Sequence, residues 1–250
     1  MQSLTVVIIT KNEARNIGRA LDSVRHIADE IIVVDSYSTD ATKAICEQKG
    51  AHFIQTEWKG YSATKNFANA LAKSDYIFSL DADEALDKTL EKSILFEKSK
   101  GFTGTYSVNR LTNYCGKWIH HSGWYPDKKI RLFPKAQTQW VGEFVHEELE
   151  FSEPLANTEL AGHLEHYSYY SYEDHKARAD KYSILTAQKM AARGKKAGAL
   201  KPYLSAVGRF VSMYLFKLGF LDGKMGFKIA SISAKSNILK YKELRRLSKS

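Results

Sequence analysis

Leu4 to Thr10 reads LTVVIIT, a continuous β-branched run without polar alternation, which is the pattern of a strand buried on both faces. Ile17, Ala20, Leu21 and Val24 then recur at i, i+3, i+4 and i+7 and predict an amphipathic helix. Glu30 to Asp35 (EIIVVD) is a second buried strand, after which Asp40 is placed to N-cap a helix running through Ile45. A short strand, His52 to Thr56, follows, and Ala63, Phe67, Ala70 and Leu71 give a second helical stripe. Tyr76 to Leu80 (YIFSL) is the next buried strand and runs straight into Asp81. Strands alternating with helices over short connections predict an α/β fold whose parallel sheet is covered on both faces.

After about Gly101 the pattern changes. Short runs such as Gly104 to Asn109 and Lys129 to Phe133 alternate with Gly, Pro, Trp and His, predicting antiparallel strands and loops. A helix is expected from about Tyr172 to Arg193, and Gly194 to Gly198 (GKKAG) reads as a hinge. Tyr203 to Leu221 reads as one helix with a wide apolar face and a narrow polar stripe. Arg209 and Lys217 interrupt it, which excludes a spanning helix. Two uses remain open for it, lying on a membrane or packing against protein.

Charge sharpens this division. The chain carries a net +9, yet from Gly194 onward 13 Lys and Arg face only Asp222 and Glu243, so the end is about +11 and the remainder about −2. A cationic end favours an anionic partner there. The two cysteines, Cys46 and Cys115, have no metal-ligand spacing, and a reducing compartment is the simplest reading. Met1 to Thr10 lacks the basic flank and cleavage site of a secretory signal.

In parallel sheets of this kind ligands bind beyond the carboxyl ends of the strands. Thr10, Asp35 and Asp81 each end a predicted strand and so converge on one rim. Asp81-Ala82-Asp83 offers two carboxylates to Mg²⁺ or Mn²⁺, ions that take few protein ligands beside substrate phosphates. A lone Asp-x-Asp more often ends a strand and caps a helix; its place on a shared rim makes it a candidate site. Thr10, Asn12 and Glu13 are candidates for holding a nucleoside, with Asn12 as a helix cap the plainer alternative. Asp35 offers an acceptor to a base edge, or forms a turn with Ser36 and Ser38. Lys65 is a candidate phosphate contact.

Taken together, TVVIITKNE, VVDSYSTDAT, KN-A and LDADE resemble the family 2 glycosyltransferases of GT-A fold. The likeness continues through RLF at Arg131 to Phe133, W-x-G-x-x-x-HE ending at His146-Glu147, the His166-Tyr167 pair and GFLDGKMGF at Gly219 to Phe227. These are similar to the branch near lipopolysaccharide-core β-glucosyltransferases. The resemblance implies a Rossmann-like, mostly parallel sheet with flanking helices, an antiparallel acceptor-side region and a C-terminal helical extension. It implies that Thr10 and Glu13 line the nucleoside pocket, that Asp35 meets the uracil edge and that Asp81 lies near the ribose. Asp83 matches the principal metal ligand, for Mg²⁺ or Mn²⁺, with His166 a further candidate, and Arg131 a diphosphate contact. The chemistry implied is inverting transfer from a nucleotide sugar, with a carboxylate deprotonating the acceptor hydroxyl. Glu147 is the chosen base, Glu143 and Asp127 its substitutes; Trp124 and His146 are candidates on the acceptor side.

The expected organisation is a catalytic domain over 1–193, its nucleotide-binding half about 1–100 and acceptor half about 101–193, followed by a basic helical extension over 194–250. The expected partners are a UDP-hexose and an anionic glycolipid or polysaccharide, with the basic end on the inner membrane surface and no nucleic acid. The expected location is cytoplasmic, peripheral on the inner face of the plasma membrane. A nucleotidyltransferase is a competing reading, but it would bring a glycine-rich phosphate loop where TKNEARN stands. A non-catalytic module binding anionic glycolipid or nucleic acid would leave the rim carboxylates unexplained.

Overall fold

The computed structural model of the chain describes residues 2–142 and 147–248. Four parallel strands open it: β1 (Leu4–Thr10), β2 (Glu30–Asp35), β3 (His52–Gln55) and β4 (Tyr76–Asp81), in the order β3-β2-β1-β4. Helices α1 (Ile17–Val24), α2 (Thr42–Gln48) and α3 (Tyr61–Leu71) connect them. Side-chain alternation along β1 shows why its run is apolar throughout. Leu4, Val6 and Ile8 enter a core with Ile17, Leu21 and Val24 of α1. Val7, on the other face, packs with Ile32, Ala68 and Ile77.

The helices predicted between these strands form, with two differences in detail. Asp40 does not cap α2, whose N-cap is Ala41. Its Oδ1 accepts from the Thr42 backbone N–H at 3.0 Å and its Oδ2 from that of Ala14. It thereby ties the loop after β1 to the loop after β2. Nor do Ala63, Phe67 and Ala70 face the core of α3; all three are exposed, and the buried side carries Thr64, Lys65, Ala68 and Asn69. A helix that turns a polar edge toward a site has no apolar stripe there to read.

Beyond β4 the sheet continues with β5 (Glu84–Leu86), α4 (Lys88–Lys100), β6 (Thr105–Tyr114), β7 (Lys117–Ile119) and β8 (Asp127–Pro134). The predicted antiparallel character holds: β8 pairs antiparallel with both β4 and β6. β9 (Thr138–Val141) and β10 (Glu148–Phe151) form a separate antiparallel pair, and β11 (Asn157–Tyr169) pairs antiparallel with β5. The full order is β3-β2-β1-β4-β8-β6-β11-β5, with β7 beside β6.

Two compact units divide the chain, residues 1–110 with 127–167, and residues 111–126 with 168–250. The second contains α5 (Tyr172–Ala192), α6 (Lys201–Val211) and α7 (Lys224–Leu247). The single helix expected over Tyr203 to Leu221 is therefore not formed. α6 gives way to a wider π-type turn, Ser212–Phe216, then to a left-handed Leu218 and a 3₁₀ turn, Gly219–Asp222. The glycines and aspartate of GFLDGKMGF explain the tight packing here. A Cβ on Gly226 would stand 1.8 Å from the Gly219 carbonyl oxygen. The buried Asp222 accepts from the backbone N–H groups of His120 at 3.2 Å and His121 at 3.1 Å, while Lys117 Nζ donates to its carbonyl.

An aromatic cluster fills the same unit: Tyr114 meets Trp124, Tyr169, Tyr172 and His175, and its hydroxyl lies 2.9 Å from His175 Nδ1. Burial, followed by the Arg178 charge, pushes the imidazole down to about 4 from an ordinary 6.5. Between those values an unfolded chain binds a proton that the folded chain refuses. This contribution to stability is full above pH 6.5 and is lost as pH falls toward 4, about 3 kcal/mol in all. Urea midpoints of the wild type should fall between pH 7 and pH 4.5 more steeply than those of His175→Gln; parallel curves would refute the assignment.

Candidate active site

Strand register places the rim. Thr10 pairs with Asp35 across β1 and β2, and Ile9 pairs with Asp81 across β1 and β4, so Thr10, Asp35 and Asp81 end neighbouring parallel strands. Thr10 is buried and its Oγ1 has no hydrogen-bond partner among the described residues. Asp35 is fully buried; its Oδ2 accepts from the Ser38 N–H at 2.8 Å and Gln55 Nε2 at 3.1 Å, and the Ser38 hydroxyl donates to Oδ1. The turn foreseen around Asp35 is thus present. Asn12 sits in the left-handed region and caps no helix. Its Oδ1 accepts from the Thr39 N–H and its own N–H donates to Ser38 Oγ, joining the two loops. Glu13 accepts from Asn16 Nδ2 and its backbone N–H donates to Thr42 Oγ1.

The third strand end carries most of the charge. Arg131, on β8, donates from Nη2 to Asp81 Oδ2 at 2.7 Å and to Glu84 Oε1 at 2.6 Å. Glu84 is buried, and its Oε2 accepts from the Asp81 backbone N–H at 3.0 Å, bracing the turn between β4 and β5 from within. Arg110 adds a second guanidinium 3.6 Å from Glu84. Burial pushes the Asp81 carboxyl upward, but Arg131 and then Lys65 outweigh it and hold the group far below the usual carboxylate range. Burial also raises the Glu84 carboxyl; Arg131 opposes that rise and the Asp81 charge adds to it.

Lys65 reaches the same point from α3. Its buried Nζ lies 3.4 Å from Asp81 Oδ1, 3.2 Å from Glu147 Oε1 and 4.5 Å from the centre of the Trp140 ring. Its neighbour Asn66 anchors β9: Asn66 Nδ2 donates to the Trp140 carbonyl and Asn66 Oδ1 accepts from the Trp140 N–H, at 2.8 and 2.9 Å. The adjacent Lys-Asn thus has two duties, one side chain in the site and one holding the hairpin that carries Trp140. Lys65, Asp81, Arg131, Trp140 and Glu147 line a cavity of about 390 Å³. Lys128 and Lys129 also line it, each tied to a carboxylate, Glu159 and Asp127.

Asp83 stands apart from this cluster. Its Oδ2 is 3.3 Å from His166 Nε2, and its carbonyl accepts from the Tyr167 N–H at 2.8 Å, so the His166-Tyr167 pair secures the Asp-Ala-Asp turn. His166 Nδ1 is buried without a partner among the described residues. One carboxylate and one imidazole fit a Mg²⁺ or Mn²⁺ that takes its other ligands from phosphates and water. No group of three metal-binding side chains occurs among the described residues.

The remaining expectations fall in several places. Asp127 is held by Arg110 at 2.7 Å and Lys129 at 3.1 Å, with its carboxyl lowered although burial opposes this. Trp124 packs in the aromatic cluster of the second unit. Glu143 and His146 lie outside the described residues. Glu84 and Arg110 were not assigned roles from the sequence, while Trp140 was open to stacking on a sugar face and begins the W-x-G-x-x-x-HE run. Glu84 carried a signal, a carboxylate in the apolar surroundings of LDADEAL, whereas Arg110 had none beyond residue type.

A family model described as glycosyl transferase family 2 matches residues 5–148. An uncharacterized glycosyltransferase of Rickettsia felis is 32% identical, over 98% of this chain and 90% of its own. The lipopolysaccharide core biosynthesis glycosyltransferase LpsC of Rhizobium meliloti is 26% identical, over 92% of this chain and 90% of its own. Among solved structures, glucosyl-3-phosphoglycerate synthase of Mycobacterium tuberculosis, in complex with Mn²⁺, UDP and glucosyl-3-phosphoglycerate, is 21% identical. That match covers 46% of this chain and 45% of the other at a TM-score of 0.37, a likeness too slight to bear on ligands. The α/β chain with this charged rim belongs to the family 2 glycosyltransferases. It is an enzyme of that family, similar over nearly its whole length to a lipopolysaccharide-core transferase.

Proposed function

We propose that the chain transfers a hexose from a UDP-sugar, with inversion at the anomeric carbon, to an anionic lipid-linked core oligosaccharide at the inner face of the plasma membrane. The observation that carries this reading is the Lys65–Asp81–Arg131 cluster opening on a cavity beside Glu147. Thr10, Asn12, Glu13 and Asp35 form the nucleoside side of the rim. Cations lining a cavity at strand ends suit a diphosphate, whose charge grows as it leaves. Lys65, Arg131, Lys128 and Lys129 supply that positive field. A bound Mg²⁺ or Mn²⁺, held by Asp83 with His166, would neutralise part of the diphosphate charge. Glu147 takes the proton from the acceptor hydroxyl as that oxygen attacks the anomeric carbon. Lys65, 3.2 Å from Glu147, keeps this carboxylate beside a cation before the donor arrives. The likeness to LpsC, together with the cationic end of the chain, supports an anionic glycolipid acceptor.

Thermal denaturation with UDP and Mn²⁺ tests the donor site. The pair together should raise the melting temperature more than the separate effects combined, and Asp83→Ala should remove the excess. No shift with any nucleoside diphosphate and either ion would overturn the transferase reading.

A further inference from the structure

α6 carries its apolar stripe on the outside. Leu200, Tyr203, Leu204 and Val207 follow helical spacing and are 70%, 53%, 67% and 63% exposed, whereas the buried side is Pro202 and Ala206. The turns that follow continue this character: Phe216 is 80% exposed, Leu221 55% and Phe227 51%. Lys201, Arg209, Lys217 and Lys224 are exposed within the same stretch. Its only carboxylate is Asp222, which is buried and committed to the His120 and His121 N–H groups. Residues 200–227 thus present apolar side chains and cations to solvent, and no acid.

We infer that this surface seats on the headgroup layer of an anionic bilayer. A soluble protein rarely exposes so many large apolar side chains in one short stretch without a partner. Apolar groups beside lysine and arginine are what an in-plane interfacial segment needs, the first entering the acyl boundary and the second meeting lipid phosphate. A second copy of the chain fits less well. Self-pairing across a two-fold axis would bring cation against cation with no exposed acid to offset them. No helix among the described residues is long and apolar enough to cross a membrane, so the contact is one of lying on the bilayer. The inference rests on the proposed lipid-linked acceptor for its biological use only, since vesicle binding needs no sugar donor.

Flotation of the full chain with vesicles of phosphatidylcholine, with and without phosphatidylglycerol, tests it. Wild type should float with the anionic vesicles and fall off as salt rises. Leu204→Glu with Phe216→Glu should weaken that binding about tenfold or more. Arg209→Glu with Lys224→Glu should remove the preference for anionic lipid. All four sites are exposed, and unchanged urea midpoints would confirm that the variants fold; should the glutamates unfold it, Leu204→Ser with Phe216→Ser is read in the same way. Wild-type flotation by either apolar pair overturns the inference. So does a solution dimer, by light scattering, that the apolar pair dissociates, which would give the face to a second copy. A chain that binds vesicles yet processes no nucleotide sugar would sink the transferase reading and leave this one standing.

Discussion

Glu147→Gln is expected to lower kcat by about 10²–10⁴-fold, the range that a positioned general base contributes. The thermal shift with UDP and Mn²⁺ should survive, because the amide keeps the size of the side chain while giving up its charge and its capacity to take a proton. These readouts separate a base from a mere counterion for Lys65. If the 3.2 Å contact with Lys65 were the sole purpose of Glu147, the variant would alter donor KM and leave kcat near normal. Near-normal turnover would remove Glu147 from the chemistry.

The second large effect is on stability. Glu84→Ala removes a buried carboxylate from the buried Arg131, which donates both to it and to the partly exposed Asp81. Breaking a buried pair from one side costs about 3–5 kcal/mol, since the remaining charge cannot recover its water. The Asp81 N–H also loses its acceptor. Glu84→Gln, which keeps an oxygen for that N–H, should cost distinctly less. Urea denaturation of the three proteins orders them, and a Glu84→Ala loss under 1 kcal/mol would show that the network does not hold the turn.

What could be read in advance follows from where the physics is local. β1, β2 and β4 needed nothing beyond their own side chains, because a strand covered on both faces must be apolar at every position. Their order then put Thr10, Asp35 and Asp81 on one rim. Lys65 was legible as a candidate, but the face of α3 was not, because a helix edge serving a polar site breaks the apolar period. Asp40 and Asn12 were read as caps since their residue types suit caps; in the fold both link neighbouring loops instead, a pairing of segments about 26–27 residues apart. The helix expected from Tyr203 to Leu221 failed for a different reason. Its composition permits a continuous helix, and the turn at 212–222 is fixed by packing around Asp222, Gly219 and Gly226.

That last turn has a practical side. Residues 111–126 lie far from the C-terminus in sequence, yet the N–H groups of His120 and His121 find their acceptor in Asp222. Tyr114 and Ile119 share a core with Met213, Ile229 and Ala230. A chain cut after Gly198 would strip the cover from a strand and loop upstream of the cut. Shortened versions of this enzyme should therefore precipitate or lose activity for reasons unrelated to lipid. Separating the proposed membrane attachment from catalysis calls for point changes on the outer side of α6, with the C-terminus left whole.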